Sequence, residues 1–455
     1  MKLFRAITVT GCLILSGLAH PADKDPSPDS FTKKRMEMLA SKDSKARSQA
    51  TSNLGSVGHR EAIPKIIELL NDWDRDVRES AIDALGNLGA KEAAPQLINL
   101  LADKTATTSF SASSALAQVN ARDKIPELLK LTKHEDINVR CLAISTLGFM
   151  CAKEAIPDIT RFSKNSHTFV RQSAIYALAN IGAKETVPEL IKALKDTEPV
   201  ISHAAAYALS KLNAKEAIPE IIKRISEEDD EVRFTPARAL GRLGAKEAIP
   251  ELLKLLQFGT RNARQGAAAS LGDLGAKEAI PVLMDLLNYQ DRFLVAEAAR
   301  SLGKLNAKEA IGKLIELLKD KSLDVNSEAA WALGKIGALE AAPKLRDFLK
   351  GGWCFSDSVR ITFSRVYFKS FQSSVVKALA LLGDTEAIPA ILVIANDHQH
   401  QSSFERGWAA IALIELGARD KLDKSCVADI RFACDNSPDE EKDRAKSALK
   451  KAEVK

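Results

Sequence analysis

Imidazole, carboxylate and thiol groups are the side chains that could do covalent or metal chemistry, and in this sequence they are sparse. Seven His and six Cys stand among 455 residues. His134-Glu135 is one pair of metal-ligating type, placed where a turn is expected. Asp397-His398-Gln399-His400 puts two imidazoles and a carboxylate in another expected turn, a donor set that suits a divalent first-row metal. The competing reading of that tetrapeptide is a solvated turn lengthened by three residues. The sequence has no Gly-rich phosphate loop, no Gly-X-Ser-X-Gly elbow, no His-Glu-X-X-His and no Cys-X-X-Cys. No catalytic residue, metal site or cofactor is therefore expected, and the chemistry left is recognition.

The elements that would position recognising groups come from a repeat. Ala-Lys-Glu-Ala-Ile-Pro returns with its proline at Pro64, Pro95, Pro126, Pro157, Pro188, Pro219, Pro250 and Pro281, then Gly312, then Pro343, nine consecutive intervals of 31 residues. It recurs at Pro389 and, degraded, at Ala418 to Asp423. A fixed period in this range marks a solenoid whose units pack on their neighbours. Pro250 to Leu256 has apolar residues at helical spacing with proline in the first turn, where its missing N–H is harmless. Val77 to Gly89 reads as a second helix with small Ala residues on one face and a glycine cap. About thirteen such pairs fit between residues 30 and 454, so the expected fold class is an all-α solenoid.

Positions 15, 19 and 23 after the phase proline lie one helical turn apart on the second helix, and stacking sets these stripes side by side. The early units are acidic or neutral there. Tyr176 precedes the change, and from His203 onward the stripe turns basic with interleaved aromatics: His203, Tyr207 and Lys211; Phe234, Arg238 and Arg242; Arg300 and Lys304; Trp331 and Lys335; and Lys377. Aromatics among cations are enriched at protein interfaces, so these residues are the candidate partner contacts, on what is expected to be the concave face. The alternative is that Tyr176, Tyr207 and Trp331 fill gaps between helices. Arg78, Arg140, Arg171, Arg233, Arg264 and Arg406 recur at one phase and are expected to be hydrogen-bonding partners between repeats.

An insertion of 15 residues interrupts the period at about 350–371. Trp353 to Phe371 holds six of the chain's 24 aromatics, including Trp353 and Phe355, which join the candidate contacts. Its alternation fits a hairpin or extended segment as well as a helix extension, and its alternative role is to cover repeat edges.

The recurring Ala-Lys-Glu-Ala-Ile-Pro, Val77-Arg78, Val139-Arg140, Val170-Arg171, Val232-Arg233, Ala84-Leu85-Gly86 and Ala239-Leu240-Gly241 resemble the HEAT-like repeats of the phycobilisome-lyase type. The resemblance covers nearly all of the chain after its first residues. It implies an α-solenoid and leaves function open, because such solenoids serve as scaffolds, adaptors, bilin lyases and di-iron deoxyhypusine hydroxylases. The di-iron relatives use several His-Glu pairs, and the single His134-Glu135 puts that chemistry out of reach.

Composition and the amino terminus bound the rest. Lys plus Arg number 65 against 60 for Asp plus Glu, a net charge of +5, and 45% of residues are hydrophobic. That balance suits a folded soluble chain and is too near neutral to favour nucleic acid. Lys2 and Arg5 precede an uncharged stretch from Ala6 to Ala19 that ends Gly17-Leu18-Ala19, the pattern of a signal peptide cleaved after Ala19. Residues 20–29 form a polar linker, and no transmembrane anchor is expected. Acylation at Cys12 is a minor alternative. Cleavage would leave Cys141, Cys151, Cys354, Cys426 and Cys434, too few for a disulfide framework. Cys141 and Cys151 are expected on one helix, about 15 Å apart; a bridge from Cys354 to Cys426 or Cys434 stays open. Residues 30–455 are expected to be one solenoid with a divergent cap at about 418–455. The expected function is an exported, non-enzymatic scaffold, periplasmic or secreted, that grips a protein or extended peptide of acidic character. The alternative is a lyase-like or enzyme-accessory HEAT-repeat protein acting on a protein or chromophore.

Overall fold

The computed structural model describes residues 28–103, 107–227, 233–349, 365–397, 402–422 and 426–453. The expected signal peptide, Trp353, Phe355 and His398 to His400 lie outside the described residues. Those residues form 26 α-helices and no strand, alternating as thirteen first and second helices in chain order. The chain forms two compact units, one ending at Glu227 and one beginning at Glu228.

Most pairs are punctuated in a similar way. A single 3-10 turn, such as Lys153–Ala155 or Lys308–Ala310, carries a glutamate at the positive end of the first helix. Proline then occupies the first turn of helices such as Ile156–Phe162, Ile249–Phe258 and Ile280–Leu286. Asp43, Asp74, Asp136 and Asp291 accept backbone N–H bonds at the start of second helices, satisfying donors that have no intrahelical partner. After each second helix but the last the chain turns through a left-handed residue, and ten of these recur at the 31-residue period from Gly58 to Gly337.

The sequence reading expects glycine at that turn. Asn120, Asn213 and Asn306 replace it in three units, and Cys151 does so in one, at φ 50°. Asparagine tolerates this region, whereas a cysteine there pays the Cβ clash of about 1–2 kcal/mol. Cys151 is thus not on the helix of Cys141, which ends at Phe149. Cys151→Gly is expected to stabilise the chain by about 1 kcal/mol, read as a rise in the thermal unfolding midpoint. A fall would show that the thiol's contact with the Asn180 carbonyl, at 3.6 Å, outweighs the backbone strain.

Second helices stack closely on second helices. Ser270 Oγ donates to Ala237 O at 2.7 Å and Ser301 Oγ to Ala268 O at 2.8 Å, and Ser113 meets Thr146 at 2.7 Å. A Cβ on Gly303 would lie 2.8 Å from Ala332 Cα, so that position must stay small. The recurring arginines do less between repeats than expected. Arg78 and Arg140 donate to carbonyls of their own turn, at Asp72 and Trp73, and at His134 and Glu135. Arg171 does this and also pairs with Asp196 of the next unit at 3.1 Å. Arg406 forks onto Asp429 at 2.8 and 2.9 Å, and Arg47 forks onto Asp72. The phase thus caps the turn first and bridges units where the neighbour offers a carboxylate.

Because units rest on their neighbours, removing Ala183 to Asn213 should join two matching phases and leave a folded chain. Far-ultraviolet circular dichroism is expected to show unchanged helicity per residue. General loss of helicity would contradict the repeat reading.

The end of the insertion is helical: Arg365–Leu381 extends the second helix of its pair. Phe371 is buried at 2% exposure, with its ring edge-on to Phe348 at 5.0 Å, so that aromatic serves the core.

Candidate functional site

The stripe positions recur on the second helices of each compact unit, but several of their side chains are not exposed. Tyr176 and Tyr207 are half-buried and pack edge to face at 5.6 Å across neighbouring units; burial raises the Tyr176 phenol above its ordinary pKa. His203 is half-buried, four residues before Tyr207 on the helix Pro199–Lys211. Lys211 is exposed and donates to Asn180 Oδ1 at 2.6 Å.

In the unit that begins at Glu228, Asp273 ties the basic residues together, 3.4 Å from Arg238 and 2.5 Å from Lys304. Arg300 stands 3.7 Å from Glu328. Phe234 is half-buried, while Arg242 and Lys335 are exposed. The sequence expectation for Trp331 needs correction: it is 9% exposed. Gly303, in the helix Arg292–Lys304, leaves room for its ring, and Arg300 and Lys335 lie over it at 5.7 and 5.5 Å. The ring fills the space between second helices and forms a floor with cations standing on it.

Lys377 is corrected more fully. It is not on an open face, because the C-terminal helix Asp439–Glu453 covers it. Its ammonium is 2.6 Å from Glu441 and 4.1 Å from the Trp408 ring centre. Burial, the largest influence, lowers its pKa below 10.5 despite Glu441. The same helix places Ala445 and Ala448 in a buried cluster with Trp408 and Ile411, and Arg444 binds Glu415 at 2.6 Å. Counting back from the left-handed glycine, Ile411 and Glu415 hold the same stripe positions as Trp331 and Lys335. At these C-terminal positions the stripe is therefore covered by a helix of the same chain.

Two carboxylates were missed by reading the stripe alone. Glu297 and Glu328 lie one residue past its first position, where other units carry Ser80, Ser173, Ala204 or Gly266; that break in a small-residue phase was the available signal. Burial raises the Glu297 pKa against the pull of Arg238, Arg300 and Lys304. Both line a cleft of about 390 Å³ with Ala296, Arg300, Asp324 and Ser327. Also missed were aromatics at the turn between first and second helices. Trp73 is 77% exposed and Phe258 76%, and Arg264 lies 4.7 Å over Tyr289.

His134-Glu135 is a structural turn: His134 Nδ1 accepts the Asp136 N–H at 3.0 Å. Among the described residues, no group of three or more His, Cys, Asp or Glu could hold a metal, and Cys141, Cys151 and Cys434 are free thiols, while Cys354 lies outside the described residues. Nor is any described helix long and apolar enough to cross a membrane.

Two-helix repeats on a 31-residue period, stacked on their neighbours within each compact unit, define an α-solenoid. HEAT repeats match residues 32–112, 110–179, 159–235, 218–299 and 294–353, and the chain belongs to the HEAT-repeat family. No curated protein matches it. Yeast importin-beta (Kap95p) is similar in structure, with a TM-score of 0.51 and 14% identity over 93% of this chain and 69% of that one. Importin beta in a polyethylene glycol condition gives 0.50 and 14%, over 93% and 77%. The complex of CpcE and CpcF of phycocyanin lyase from Nostoc sp. PCC7120 gives 0.33 and 20%, over 64% and 94%. The two importin likenesses concern the fold alone.

Proposed function

We propose that the chain is an exported, non-enzymatic scaffold that binds a protein along the stripe of its second helices, using the aromatic and basic side chains between Phe234 and Lys335. One observation carries this reading: the stripe already holds a helix of this chain, with Asp439–Glu453 seated on Lys377, Ile411 and Glu415. Exposed Arg242 and Lys335 supply charge along the same face, and aromatic and arginine groups are the residue types on which protein interfaces concentrate their energy. Export rests on Lys2, Arg5 and the uncharged run that ends at Ala19.

The test is capture from an envelope extract of the source organism by immobilised residues 20–455, with bound protein identified by mass spectrometry. A variant with Arg242→Glu and Lys335→Glu should keep its fold, since both side chains are exposed. It is expected to lose at least tenfold of the captured partner at low salt, where exposed charges act beyond the roughly 8 Å reach they have at physiological ionic strength. Capture indifferent to both changes would move binding off the stripe. Amino-terminal sequencing of the native protein is expected to begin at His20, and finding Met1 or acylated Cys12 would refute export by this signal.

A further inference from the structure

The C-terminal helix shows what the stripe accepts. Glu441 meets Lys377 at 2.6 Å, Ala445 and Ala448 pack in the cluster of Ile411, and Arg444 meets Glu415. The stripe thus presents cation, apolar and anion in turn, and the helix answers with acid and base at i and i+3 and alanines at i+4 and i+7. Two units back along the repeat, the equivalent positions are Arg300 for Lys377, Trp331 for Ile411 and Lys335 for Glu415. The pattern becomes cation, apolar, cation. The 390 Å³ cleft opens beside Arg300, with Glu297, Asp324 and Glu328 along it.

We infer that Arg300, Trp331 and Lys335 form a second helix-docking site, and that its occupant is an amphipathic helix of a partner protein with carboxylates at i and i+3 and alanine-sized residues at i+4 and i+7. The carboxylates face Arg300 and Lys335. Small residues are required between them because the Trp331 ring already fills the floor. On the opposite edge of the occupant, a Lys or Arg reaches the cleft acids, which repel a helix that is acidic all round. Docking an amphipathic helix by such anchors is a recurrent mode of recognition, and the charge pattern selects the partner.

The inference rests on the protein-binding reading of the stripe, and the chain itself supplies the probe. A labelled peptide of residues 439–453 carrying Arg444→Glu has the predicted complement, and fluorescence anisotropy measures its affinity for the full chain. Lys335→Glu in the chain is expected to weaken it at least tenfold. The same variant is expected to bind the unaltered 439–453 peptide, with Arg444, more tightly than the wild-type chain does. Should Lys335→Glu fail to fold by circular dichroism, Lys335→Ala replaces it, with a loss of at least threefold expected. Absence of peptide binding, or affinity indifferent to Lys335, overturns the inference. If that happens while Arg242→Glu with Lys335→Glu still abolishes partner capture, the scaffold reading stands and only the helical occupant falls.

Discussion

Trp331→Ala is expected to destabilise the chain by about 3 to 5 kcal/mol, the cost of emptying a large aromatic site in a packed core. The ring is 9% exposed, and its Cζ3 lies 2.9 Å from where a Cβ on Gly303 would be. It seats the helix Leu323–Ile336 against Arg292–Lys304. Removing it opens a cavity between two second helices and also ends the contacts of Arg300 and Lys335 over its face, each worth about 0.5–1 kcal/mol at a partly exposed site. Thermal unfolding, with hydrogen exchange across residues 292–336, reads the effect. A loss below about 1 kcal/mol is the behaviour of a surface residue and would return Trp331 to the list of direct partner contacts.

Glu441→Ala is expected to cost about 3 kcal/mol, because it leaves the Lys377 ammonium buried without its carboxylate. Both side chains are 12% exposed, so solvent replaces little of the lost partner. Lys377 also sits against the rings of Trp408 and Phe404, whose faces attract the ammonium but supply no counter-charge in the carboxylate's place. Lys377→Met combined with Glu441→Leu should cost much less than either single change, since a buried pair replaced by apolar groups of similar size is close to neutral. Hydrogen exchange in residues 439–453 separates the cases: rapid exchange in Glu441→Ala, near-normal protection in the double variant. Equal losses in all variants would mean that the helix is held by its alanine contacts and by Arg444 with Glu415 instead.

The repeat was legible because a solenoid needs the same residues at every junction. The proline in the first turn of most first helices, the aspartate caps and the left-handed turn recur since the units solve the same local problem with neighbouring residues. Thirteen helix pairs, their boundaries and the face that carries the stripe all follow from that local logic. Exposure along the stripe did not. Whether Trp331 projects or fills depends on Gly303 in the adjoining unit, and whether Arg238 and Lys304 are available depends on Asp273 lying between them.

The fate of Lys377 was further out of reach, because Glu441 follows it by 64 residues and the period stops short of predicting that the last helix returns to the stripe. Sequence by itself determined the units and the order in which side chains are offered, since these depend on neighbours a few residues away. Tertiary structure decided which of those side chains are floor, which are already paired and which face outward, since burial and ion pairing are set by groups that only folding brings together.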